Sequence, residues 1–345
     1  MNETLPKSGQ VPNKQIMGNV PPPTIGQWLK LVPGYLLAAA GLIWALHDFR
    51  FTDLTAQLAR LKWQFVVAAL LCDVLGYVCQ AWRWKLLLKS SGEISVGRAT
   101  QALCAGLFVS EVLPMSLGEL ARSYLAARSM RASFASVFPT VVVERLFDGL
   151  WIAAGIGLTA LFLPLPEDYL IVGDVFGALA LLGAGALMWF LLRRPYNPTS
   201  PPSNNRVKRF FRRLAEGLYS IGLKRNFYIS FAVSMIFLLL QVLTIWLMML
   251  GYGLQLSFWV AAAVQILVLI GTAAPGPPGN VGTWQFSCVL GLTLFGIDKS
   301  VATGFSLTCY MMLSLLLIAI GFISLSRSGT TLIELRRAAS EVEKA

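Results

Sequence analysis

The chain is poor in charge and nearly devoid of histidine. Asp, Glu, Lys and Arg make up 13% of its 345 residues, about half the share of a soluble domain. With 56% hydrophobic residues and a mean hydropathy of +0.66, that scarcity excludes disorder and argues against an ordinary soluble globule. The single histidine, His47, excludes a two-histidine metal centre and an HExxH motif. A Ser-His-Asp relay would rest on this one residue, which reads as a helix terminus at a membrane surface. The cysteines Cys72, Cys79, Cys104, Cys288 and Cys309 all lie in apolar segments, without zinc or CxxC spacing. They read as small buried hydrophobes, and no metal or other cofactor is expected.

What the chain has is long apolar runs, several above the roughly 18 residues that signal a membrane span. Residues 1–27 are a polar, proline-containing tail without the h-region of a cleaved signal peptide. The runs then cover about 31–46, 63–82, 99–113, 134–163, 169–192, 227–250, 256–274, 283–295 and 301–325. Lys and Arg exceed Asp and Glu by 28 to 17, a net charge of +11. In a soluble protein that excess would suggest nucleic acid. Here it sits in short loops between apolar runs, as membrane orientation requires, and no nucleic-acid partner is expected.

The most basic loop, 193–226, holds nine Lys and Arg and one acid, Glu216. The positive-inside rule puts it in the cytoplasm. The turn at 165–168, without Lys or Arg, is then outside. Arg83, Lys85, Lys89 and Arg98 precede residues 99–131, and Arg122, Arg128 and Arg131 close them, so this segment starts and ends inside. Residues 256–298 start and end outside by the same count. Each segment is broken in its middle, the first at Pro114 and Gly118, the second at Pro275, Pro278, Gly279 and Gly282. The expected fold is an all-α polytopic membrane protein with six spanning helices and two oppositely oriented re-entrant helical hairpins. Its inverted halves run from 28 to 165 and from 166 to 325, and a cytoplasmic tail follows at 326–345. Inverted repeats with broken helices at the midplane are a transporter architecture.

Three constellations could carry chemistry. Glu119 and Arg122, three apart, share a helix face just after the first break. Glu144, Arg145 and Asp148 fall within one turn of an otherwise apolar run. A charge at that depth costs about 2.5–3.5 kcal/mol on insertion scales, so it is paired or functional. The functional reading is a phosphate-binding arginine oriented by two carboxylates; the structural one is an internally neutralised network or an i,i+3 ion pair. The third is the breaker 275–282, whose glycines expose backbone amides before Trp284 and Gln285. It is not a Walker A motif, because no Gly-Lys-Ser/Thr follows. Gly173-x3-Gly177 is a small-residue packing pattern.

Arg83-Trp84, Leu-Pro-x3-Gly-Glu-x2-Arg at 113–122, Glu144-Arg145-x2-Asp148 and the Pro-x-Pro-Pro-Gly-Asn-x-Gly breaker together resemble the lysylphosphatidylglycerol synthase transmembrane region family, the flippase-like integral membrane proteins. The resemblance covers roughly residues 30–325, and Gln285 stands near a place where the family usually has an acid. It implies transbilayer movement of a polar or anionic lipid or lipid-linked headgroup in the plasma (inner) membrane, with both termini cytoplasmic. The expected substrate-binding residues are Arg83, Glu119, Arg122, Glu144, Arg145, Asp148, Asn280 and Gln285. Two other readings remain open: a membrane-embedded lipid-headgroup transferase or hydrolase, and a non-catalytic partner of an envelope glycosyltransferase or lipid synthase. The expected partners are a membrane lipid, such a synthase or glycosyltransferase, and a second copy of the chain.

Overall fold

The computed structural model describes residues 25–47, 49, 57–113, 117–165, 167–193, 216, 219–222, 224–273, 276–330 and 334. Pro114, Pro275, the N-terminal tail before residue 25, nearly all of the basic loop and most of the C-terminal tail lie outside them. The described residues are helical, with no strand among them. In chain order the helices are α1 Ile25–Leu46, α2 Trp63–Leu88, α3 Val96–Val112, α4 Leu117–Met130, α5 Phe134–Phe162, α6 Glu167–Arg193, α7 Arg225–Tyr252, α8 Phe258–Gly271, α9 Thr283–Leu294 and α10 Lys299–Arg327. A 3-10 turn, Pro278–Asn280, separates α8 from α9. Among the described residues, four helices are long and apolar enough to cross a membrane: α2, α6, α7 and α10.

In hydrocarbon every backbone group must be satisfied internally, so helix is the only open-chain solution and side chains decide the packing. α2 illustrates the resulting pattern. Val67, Leu71, Leu75, Val78 and Trp82 recur every three or four residues and form one exposed apolar face. The buried face instead carries Ala69, Gly76, Gln80, Ala81 and Arg83. Small and polar groups point inward along the middle of α2, Val66, Trp84, Leu87 and Leu88 are buried towards its ends, and the outward face is apolar, where lipid would lie. α2 runs antiparallel along α7: Gly251 faces Val66, Phe237 faces Gly76, and Ser234 bonds Arg83.

α4 and α8 have 14 residues and α9 has 12, short of the roughly 20 needed to span a bilayer. They pair as α3 with α4 and α8 with α9. Glycine closes both pairs. A Cβ on Gly106 would overlap the Gly118 carbonyl and Arg122, and one on Gly118 would overlap Ser110 and the Gly106 carbonyl. A Cβ on Gly271 would likewise overlap Ser287. Gly118 is the second residue of α4 and a contact point of the pair. The Gly173-x3-Gly177 pattern also acts within the chain: Gly173 sits on Ile156, Gly177 on Ala153 and Ala180 on Gly149, seating α6 on α5.

Candidate functional site

α2 carries polar groups at two levels, Asp73 with Tyr77 and, ten residues on, Arg83 with Trp84. At 1.5 Å per residue these levels are about 15 Å apart.

At the second level Arg83 is fully buried. Its Nε donates to Glu144 Oε1 at 3.1 Å, and its Nη1 donates to Ser234 Oγ at 3.0 Å. Both oxygens of Asp148 accept from its two terminal nitrogens, one of them at 3.4 Å. The other oxygen of Glu144 accepts from Arg122 at 2.9 Å. The Arg122 guanidinium lies 4.9 Å from the centre of the Trp84 ring, and Trp84 donates its indole N–H to Thr140 Oγ1 at 2.8 Å. Two guanidinium groups and two carboxylates therefore cancel. The pairs cross between α2, α4 and α5 rather than closing within one helix. A buried guanidinium needs acceptors in its own plane, and facing helices supply them where i,i+3 neighbours do not.

Arg145 leaves that network. It pairs with Glu119 of α4, its Nε donating at 2.6 Å. The Arg145 side chain is 58% exposed and that of Glu119 28%. Among the described arginines of these constellations it alone is accessible, and one carboxylate oxygen cannot use its five N–H donors.

The first level opens into a cavity of about 210 Å³. Asp73 and Tyr77 of α2, Glu111 of α3, Gln241 and Thr244 of α7, Gln265 of α8, Asn280, Trp284 of α9 and Tyr310 of α10 line it. Among the described residues of its wall there is no Lys, Arg or His. Tyr77 donates to Asp73 at 2.6 Å, and Tyr310 donates to the Gly279 carbonyl at 2.9 Å. Gly279 holds a φ of +63° and Asn280 one of +55°, a region open to glycine and tolerated by asparagine. A Cβ on Gly279 would overlap both the Glu111 carboxylate and the Tyr310 hydroxyl. The interruption of the α8–α9 pair is thereby pressed against the last turn of α3.

Of the expected site residues, Asn280 lines the cavity, and Arg83, Arg122, Glu144 and Asp148 form the charged network. Gln285 does neither: its Oε1 accepts from the Gly282 N–H at 2.6 Å and closes the start of α9. An amide oxygen serves that role as a carboxylate would. The sequence reading missed Asp73, Glu111 and Tyr310. The signal was there, because Asp73 is the lone acid in 63–82 and Glu111 the lone acid in 99–113.

Residues 31–321 match the family described as the lysylphosphatidylglycerol synthase TM region. The chain belongs to this family. A UPF0104 membrane protein of Methanocaldococcus jannaschii is 21% identical over 298 residues, covering 76% of this chain and 84% of its own length. As a lysylphosphatidylglycerol synthase TM-region protein, the chain is a multi-pass helical membrane protein with a lipid-related role.

Proposed function

We propose that the chain moves the polar headgroup of a lipid, or of a lipid-linked substrate, across the bilayer through the Asp73–Glu111 cavity. In this reading α3–α4 and α8–α9 are two re-entrant hairpins entering from opposite faces. The six spans are α1, α2, α5, α6, α7 and α10, in the plasma membrane with the basic loop and both termini cytoplasmic. The observation that carries the reading is the contact of Gly279 with Glu111 across one polar cavity. Interrupted helices meeting at a polar cavity recur in transporters. The cavity suits a headgroup alone, being smaller than the roughly 300 Å³ from which drug-sized sites begin. Acyl chains stay on the exposed apolar faces.

The two polar levels divide the headgroup. Half-exposed Arg145 is the guanidinium open to a lipid phosphate. The acidic cavity repels phosphate and favours an ammonium or hydroxyl group beyond it, consistent with a family described by a lysine-bearing lipid. The test is reconstitution into vesicles with fluorescent phosphatidylglycerol and lysylphosphatidylglycerol, followed by dithionite quenching of the outer leaflet. Wild type moves probe between leaflets, and Glu111→Gln and Arg145→Ala do not. Equal movement by all three proteins sinks the reading.

A further inference from the structure

Carboxylates within the apolar runs of this chain receive two treatments. Glu144, fully buried, is paired with Arg83 and Arg122, and Asp148 is paired with Arg83. Asp73 and Glu111 face one cavity whose other described polar groups are uncharged: hydroxyls, carboxamides and backbone. An uncompensated charge in low dielectric is expensive, and a protein able to bring arginines to Glu144 has left these two without any.

The rest of the wall indicates what compensates them. Gln265 is 7% exposed and lines the cavity, yet its carboxamide has no hydrogen-bond partner among the described residues. Gln241 and Asn280 add carboxamides, and Thr244 and Thr272 add hydroxyl oxygens. The interrupted segment adds the Gly279 carbonyl, held towards α10 by Tyr310. Carboxylate, carbonyl and hydroxyl oxygens without a nitrogen cation form a hard donor set that suits small hard cations. Unwound carbonyls at a repeat interface are where secondary transporters hold coupling ions.

We propose that the Asp73–Glu111 cavity binds a small inorganic monovalent cation, sodium or a proton, whose passage is coupled to that of the headgroup. The proposal rests on the translocation reading above and supplies its driving ion. The coupling runs through Glu111, which touches Gly279 of the opposite hairpin. With its charge compensated, Glu111 lets the Gly279 turn stay seated on the last turn of α3. With its charge exposed, it repels the Gly279 carbonyl and favours their parting. The other titratable groups facing the carboxylates are Tyr77 on α2 and Tyr310 on α10, with the thiols of Cys72, Cys104 and Cys309 near Asp73. α7, α8, α9 and the 3-10 turn bring no titratable side chain to the wall.

The test reads cation binding without any lipid probe, so its failure is separate from failure of the translocation assay. Thermal unfolding of the purified full chain is followed in sodium, potassium and choline chloride at constant ionic strength, over a series of pH values. A sodium site raises the midpoint with log[Na+] and not with choline. A proton site leaves sodium without effect and makes the midpoint depend on pH. In either case Asp73→Asn/Glu111→Gln abolishes the response, and Asp174→Asn, an exposed acid on α6, keeps it. Should the double variant not fold, Gln265→Leu keeps both carboxylates and raises the half-saturating cation concentration about tenfold. Identical responses of wild type, double variant and Gln265→Leu to every cation and pH overturn the proposal.

Discussion

Two polar levels about 15 Å apart on α2, at Asp73 and at Arg83, differ in what surrounds them. At the Arg83 level carboxylates meet guanidinium groups edge to edge, and no net charge remains. At the Asp73 level the carboxylates meet hydroxyls and carboxamides around an open volume. The first arrangement is finished without a ligand, and the second is not. Intramembrane charge is thus no single signal. A neutralised cluster fixes how α2, α4, α5 and α7 cross, whereas an uncompensated one marks where something else binds.

The largest expected effect breaks the finished site. Arg83→Leu leaves Glu144 and Asp148 facing an apolar side chain. Removing one partner of a buried ion pair costs about 3–5 kcal/mol, so the variant is expected to lose its monodisperse peak in detergent gel filtration. Adding Asp148→Asn, which leaves Glu144 paired with Arg122, restores part of that stability. An Arg83→Leu protein that melts with wild type would remove the distinction between the two sites.

The corresponding change at the other level is Gly279→Ala. The added methyl overlaps the Glu111 carboxylate and the Tyr310 hydroxyl, at a φ of +63°. Strain of this kind costs about 1–3 kcal/mol. Lipid movement is expected to fail while the protein still purifies as folded material. Thermal midpoint and dithionite protection, measured on one preparation, separate the two effects.

Next in size is Gln285, whose oxygen closes the start of α9. Gln285→Leu removes a helix cap worth about 1 kcal/mol and lowers the midpoint, whereas Gln285→Glu keeps the acceptor and the stability. A gain of transport in Gln285→Glu without any change in midpoint would instead assign the residue to the path of the substrate.

The membrane class, the helical runs and the breaker were legible in the sequence because each rests on local composition. Length and hydropathy mark α2, α6, α7 and α10, and glycine with proline marks 276–282. Pairing was not legible. Glu119 and Arg122 stand three apart and suggest one ion pair, but each bonds a different residue of α5. Helical spacing says which side chains share a face and nothing about the helix opposite. Asp73 and Glu111 were passed over because each is a single acid in an apolar run. The cavity that unites them is built from α2, α3, α7, α8, α9 and α10, a tertiary fact without a sequence period.

The smallest expected effect on stability falls on Arg145, and it sharpens the comparison most. Its pair with Glu119 is exposed at 58% and 28%, and exposed pairs are worth about 0–1 kcal/mol. Arg145→Gln should therefore melt within about 0.5 kcal/mol of wild type, unlike Arg83→Leu, whose partner Glu144 is the neighbouring residue in the chain. If Arg145 receives a lipid phosphate, the same variant loses anionic lipid movement despite its intact fold. Arg145→Lys keeps the charge but not the planar fork, and recovers only part of that movement. If Arg145→Gln moves lipid as wild type does, the guanidinium merely tethers α5 to α4. The phosphate would then need another cation, and the described arginines of the buried network are already committed to carboxylates.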